Sequence, residues 1–225
     1  MFELLAFGSP EKIPLDMMDL LLLLFPVFIS EFLFGLGIYQ HFCMGAVYYF
    51  SRQENRTAWF LREIRQMMCG VCGFCVAYFG ITYLGGVLLE GGATGISAVL
   101  VLEVCLLYIL YLIPWSLILT ILNIRLGSQV ACGIVFAIQV GSVFFHLTDF
   151  DNGWLFMLNP TSNLILSWHS LPAGQSAYEV AMVDDYFPLW YSVLYEVVLT
   201  GIALAVGCVM IRRMDIALQN REEQG

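Results

Sequence analysis

Three glutamates, Glu31, Glu103 and Glu196, stand inside runs of hydrocarbon side chains. An ionised carboxylate in hydrocarbon is costly, so such acids must face a bundle interior or a wet path, or carry protons. Counting about 1.5 Å per helical residue from the outer ends puts Glu103 and Glu196 some 12–15 Å deep. Glu31 reaches a similar depth if its helix begins near Asp16. No Lys or Arg lies at that level to pair with them. Glu196 heads a polar, small face with Thr200, Ala203 and Gly207, which suits contact with protein rather than lipid. Glu31, Glu103, Glu196 and Thr200 are therefore candidate lining of a transport path. The alternative for each acid is a neutral, hydrogen-bonded helix contact.

Other residue patterns invite chemistry and fall short of it. "CGVCGFC" sets Cys69, Cys72 and Cys75 at i, i+3 and i+6. On a helix these positions drift about 60° per step, so one helix cannot wrap a cluster. Gly70, Gly73, Ala77 and Gly80 read instead as a small-residue packing stripe. His41 lies toward one end of its helix and His146 toward the other end of its own, so they cannot share a haem plane. Packing or interfacial roles suit them and His169. Ser170 follows His169, but no nucleophile elbow and no His-Glu-x-x-His motif accompanies it. The chain is not expected to be an enzyme, and no cofactor or metal is expected within it.

The elements that carry these residues are set by composition. Of 225 residues, 60% are hydrophobic and 12% charged, with a mean hydropathy of +0.82. Such a chain is an integral membrane protein. Apolar runs at about 67–89, 95–122, 128–147 and 187–211 match the roughly 20 residues that a 30 Å hydrocarbon core demands. A fifth, Leu15–Phe50, is long for one crossing and short for two, with Pro26 able to kink or break it. Neither half of "GWLFMLNPTSNLILSWHS" can cross, because Asn159-Pro160 interrupts it. Residues 149–185 thus read as a re-entrant or interfacial pair of short helices, with Trp154 and Trp168 at headgroup level. The expected fold is all-α: a single transmembrane domain over 1–225, five clear crossings and possibly six.

Orientation follows from the basic residues. Eight of nine lie at 51–66, at Arg125 and at Arg212, Arg213 and Arg221; only Lys12 departs. Basic loops stay cytoplasmic, so 149–185 faces outward. The net charge of −9 is then mostly an acidic outer face, which argues against nucleic acid as a partner. No basic stretch precedes the first apolar run, so no cleavable signal is expected. The island "SRQENRTAWFLREIRQ" also holds Trp59-Phe60, which topology alone does not need. If 53–65 forms a short helix, Trp59 and Arg62 or Glu63 fall on neighbouring turns, an aromatic anchor flanked by charge. The plainer reading is an interfacial helix with Trp59 in the headgroups.

The basic loop with Trp, four hydrophobic helices, an outer "NP" segment and the closing "IRRMDIAL" together resemble the membrane subunit of a type-2 ABC exporter. That family's small permeases serve peptide, lantibiotic-immunity or drug export. The resemblance implies a bacterial plasma-membrane permease with a separate ABC ATPase subunit and a second permease copy or paralogue. ATP and Mg would enter through that partner, since no G-x-x-x-x-G-K-[ST] loop occurs here. It also implies a coupling segment at 51–66, with Arg56, Trp59, Phe60, Arg62 and Glu63 meeting the ATPase. Such permeases usually have six crossings; the missing one would precede Leu15. A non-ABC channel, or a scaffold subunit of a membrane complex, is the competing expectation.

Overall fold

The computed structural model describes residues 17–43, 56–89, 98–146, 157–165, 169–170 and 187–213. Lys12, Trp154, Trp168, Arg221 and the acids Glu90, Asp149, Asp151, Glu179, Asp184 and Asp185 lie outside these residues.

Helix α1 (Met17–Ser30) carries Pro26 inside it. The proline does not end the helix. A π-helical turn over Glu31–Gly35 follows, and α geometry resumes over 36–43. The stretch whose length fitted neither one crossing nor two is thus one helical rod with a π turn in its middle. A π turn displaces backbone carbonyls from their usual partners, and in an apolar interior these must find others. The Gly35 carbonyl accepts from Thr120 Oγ1 at 3.1 Å and Asn123 Nδ2 at 3.4 Å.

Helix α2 (Arg56–Leu89) runs 34 residues without a break. Of the short helix expected at 53–65, residues 56–65 form the first turns of α2, and 53–55 lie outside the described residues. The reason lies in the side chains. Trp59, Phe60, Ile64, Met67, Val71, Cys75 and Phe79 are all buried, and their three- and four-residue spacing makes one continuous stripe.

Helix α3 (Ala98–Leu126) is the centre of the bundle. Its most apolar 18-residue window is 72% buried, against 17% for α2. It packs against α2, the π turn, and helices α4 (Ser128–His146) and α6 (Leu189–Arg213). Gly127, at φ +81°, turns α3 into α4 within a single residue; glycine adopts that left-handed conformation without strain. Short helix α5 (Pro160–Leu164) packs on α3 and α4. Strands β1 (His169–Ser170) and β2 (Phe187–Pro188) form a two-residue parallel pair leading into α6.

Apart from that two-residue strand pair the described residues are essentially helical, as a membrane protein of this composition requires. Three helices are long and apolar enough to cross a bilayer: Arg56–Leu88, Val101–Leu126 and Leu189–Arg213. The expectation of five crossings is met only to that extent. Ser128–Val143 is apolar but shorter, and the first rod is divided by its π turn. The basic residues do gather at one end. Arg212 Nε donates to Thr57 Oγ1 at 3.1 Å, and His41 pairs with Glu63 at 3.1 Å. A Cβ added at Gly207 would lie 2.7 Å from the Phe60 ring and 3.3 Å from Ile121, which brings the end of α3, with Arg125, to the same level.

Candidate functional site

Buried polar groups occur at several levels of the bundle, from Ser192 in α6's first turn to Asn123 near the end of α3. At the end opposite the arginines they form a hydrogen-bonded knot. Asn159 caps α5: its side-chain oxygen accepts from the Thr161 amide at 3.1 Å, and Pro160 fills the first helical position, where a missing N–H costs nothing. Asn159 Nδ2 donates to the Ser142 carbonyl of α4 at 2.9 Å. Asn163 Nδ2 donates to the carbonyls of Met157, at 3.2 Å, and Asn159, at 3.0 Å. That leaves its Oδ1 as an acceptor, which Ser192 Oγ fills at 2.7 Å. His169 Nε2 lies 2.6 Å from the same Ser192 oxygen, and its Nδ1 lies 3.0 Å from the Ile165 carbonyl. The segment expected to lie at the interface therefore includes one five-residue helix, with Thr161, Ser162, Asn163 and Leu164 buried.

One turn further in, about 6 Å along α6, stands Glu196. It is 1% exposed, and neither carboxylate oxygen has a hydrogen-bond partner among the described residues. Glu31, the first residue of the π turn, is fully buried. Its Oε1 accepts from Gln139 Nε2 of α4, while its Oε2 has no partner among the described residues. Tyr111 of α3 is also buried, and its hydroxyl has no hydrogen-bond partner among the described residues. Below them Trp115 Nε1, Ser116 Oγ and Asn123 Oδ1 continue the series of buried atoms without partners. Buried polar groups in folded proteins are nearly always hydrogen-bonded, so these exceptions call for an explanation beyond packing.

The structure sorts the expected path residues. Glu31 and Glu196 are both buried. Glu103, eight residues before Tyr111 on α3, is only partly buried. Thr200 is on α6 but spends its hydroxyl on the Glu196 carbonyl at 2.8 Å. Tyr111 and Gln139 were not singled out from sequence. A lone Tyr or Gln in an apolar run carries no pattern, and only the packing of the bundle buries them.

The coupling cluster is redistributed as well. Trp59 is 4% exposed and Phe60 fully buried, with the Trp59 ring 6.2 Å from that of Phe42. Both lie inside this chain's own bundle rather than on a docking surface, because they begin the buried stripe of α2. Glu63 is also buried and held by His41; Arg62 stands 3.8 Å from it with an exposed side chain. Arg56 is half-buried. Cys69 is exposed, Cys72 half-buried and Cys75 buried, so the three thiols diverge around α2. In the small-residue stripe, Gly70 seats the Phe34 ring, which an added Cβ would meet at 2.5 Å, but Gly73 and Gly80 have nothing within 4 Å.

The chain belongs to the family described as "Protein of unknown function (DUF2705)", whose model matches residues 3–217. That match corrects the ABC-exporter resemblance: the family whose model covers almost the whole chain is one of unknown function, and no ABC-transporter family model matches. The features that suggested it, a basic loop, an outer Asn-Pro and arginines after the last helix, are general to polytopic membrane proteins and carry no ATPase-specific information. No curated protein and no solved structure matches the chain.

Proposed function

We propose that this DUF2705-family chain is a membrane transport subunit whose helices enclose a polar path. The reading includes five crossings in a cell membrane, with the arginine-bearing end in the cytoplasm and the Asn159–Asn163 segment outside. The observation that carries it is the pair Glu31 and Glu196. Both are buried, and three of their four carboxylate oxygens have no partner among the described residues. Intramembrane acids without counter-charges mark ion or substrate pathways, because nothing else offsets their cost in hydrocarbon. The knot of Asn163, Ser192 and His169 is the outer closure in this reading, and Thr120 and Asn123 on the Gly35 carbonyl bound the path toward the cytoplasm. A scaffold subunit would have no use for the unpartnered acids.

Water access along the path tests this without knowledge of the cargo. On a cysteine-free background, Ser116→Cys, Gln139→Cys and Glu196→Cys should react with a small, charged, membrane-impermeant thiol reagent. Val197→Cys and Ile134→Cys, which face away from the bundle interior, should not. Labelling that spares the path positions as completely as the outward ones would leave a scaffold.

A further inference from the structure

A hydrogen bond needs one proton between its two heavy atoms, and in the outer knot the protons can be counted. Three contacts run in series. The Ile165 carbonyl meets His169 Nδ1 at 3.0 Å, His169 Nε2 meets Ser192 Oγ at 2.6 Å, and Ser192 Oγ meets Asn163 Oδ1 at 2.7 Å. Both ends of the series accept. The Ile165 carbonyl has no hydrogen to give. Asn163 cannot turn its amide round, because Nδ2 donates to the carbonyls of Met157 and Asn159 and a flip would set an oxygen against both. Ser192 therefore sends its one hydroxyl proton to Asn163, and its oxygen takes a proton from His169 Nε2. Nδ1 must likewise give one to Ile165. Both ring nitrogens donate at once only in the imidazolium.

Three contacts thus need three protons. A neutral imidazole and one hydroxyl bring two, whichever ring nitrogen carries the hydrogen. With it on Nδ1, Ser192 can serve His169 or Asn163 but not both. With it on Nε2, the Ile165 carbonyl loses this donor. His169, Ser192 and Asn163 are all buried, where a polar group left unpaired bears its full desolvation. The contact of Nε2 with Ser192 is also shorter than the usual N–H···O distance of about 2.9 Å, as a charged donor makes it. Among the described residues, the elements around the ring bring few titratable groups. Helix α5 and β2 carry none. Helix α6 brings Tyr191, Tyr195, which donates to the Leu158 carbonyl at 3.1 Å, and Glu196 one turn below Ser192. Helix α4, tied to the knot through Asn159, ends in His146. A fixed positive charge, which would expel the proton, is absent from α4 and α5 and stands on α6 only at its far end, at Arg212 and Arg213.

We propose that His169 is a proton-binding site in the outer knot. With the proton bound, the ring ties the end of α5 to the first turn of α6; on losing it, the knot gives up one of its three bonds. The proton count stands on the geometry, while its use as a latch on the outer closure rests on the transport reading. The sign is fixed by the count: the closure is tightest with the proton bound and loosens as pH rises.

Nitrogen NMR of the full chain in lipid, with isotope-labelled histidine, tests the count. An imidazolium shows two protonated ring nitrogens, and a neutral ring shows one protonated and one bare. The chain has three histidines, and the signals lost in His41→Gln and in His146→Gln leave those of His169 assigned without touching the knot. At neutral pH both of its nitrogens should carry hydrogen. A bare nitrogen on that ring overturns the proposal, whatever else is found. Ser192→Ala removes the acceptor of Nε2 and leaves a ring that one proton satisfies. Its deprotonation should then move down by about one pH unit or more, since a hydrogen bond to a charged group is worth at least that factor; an unmoved titration overturns the count. The latch is read separately. Gln139→Cys, on a cysteine-free background, should label more slowly at mildly acidic than at mildly alkaline pH, beyond the thiol's own dependence, which the same cysteine reports once His169→Gln is added. Labelling that His169→Gln leaves unchanged overturns the latch and keeps the proton site. Path cysteines that label at no pH overturn the transport reading and keep the proton site.

Discussion

Ser192 and Glu196 sit one turn apart on the same buried face of α6, and their surroundings are opposite. Ser192 donates to Asn163 and lies against the ring nitrogen of His169. Glu196 has two oxygens and no partner for either among the described residues. The contrast separates polar groups kept for the fold from polar groups kept in spite of it. A satisfied hydrogen bond contributes modestly to stability, whereas a buried group left without one costs its full desolvation. The knot therefore holds α4, α5 and α6 together, and the acid one turn below weakens the bundle that contains it. Natural proteins tolerate such a cost where function needs the group.

Substitutions in the knot should show its side of the comparison first. Asn163→Leu leaves two carbonyls without a donor and Ser192 without an acceptor; it should lower stability by about 3 kcal/mol, seen as a fall in melting temperature in detergent or lipid. For a chain of this length about 2–4 °C accompanies each kcal/mol. Ser192→Ala removes only the hinge of the knot, and should cost about 1–2 kcal/mol. Thr120→Val, at the far end of the path, deletes one of two donors to the Gly35 carbonyl and should cost about 1 kcal/mol or less. Equal melting temperatures across all three variants would show that the knot is incidental, and the comparison would lose its structural half.

The sequence made some of this visible and hid the rest for physical reasons. Helical class and membrane character were legible because lipid requires long apolar runs, and α3 and α6 fall close to the runs read for them. Glu31 and Glu196 stood out because charge inside such runs is rare. Their burial, and the partial burial of Glu103, did not, since that depends on how the helices pack, and Glu103 looked equivalent by depth alone. The start of α2 was misplaced because Arg56, Arg62 and Arg65 drew the eye to polarity. The three- and four-residue spacing from Trp59 and Phe60 through Ile64, Met67 and Val71 to Cys75 was present all along and marked one continuous helix. The π turn at Glu31–Gly35 has no signature in its residue types. The knot joins residues 163, 169 and 192 across the fold, and Asn-Pro alone announced only a helix start.

The central claim is that Glu196 is not there to hold the bundle, and the melting temperature of Glu196→Met tests it most directly. Methionine matches the length of glutamate without its desolvation cost, and apolar replacements of buried charged groups are often neutral or stabilising. The account predicts a melting temperature equal to the wild type or above it, by up to about 2 kcal/mol in stability. A fall as large as that of Ser192→Ala would contradict the account, and would make Glu196 one more member of the knot.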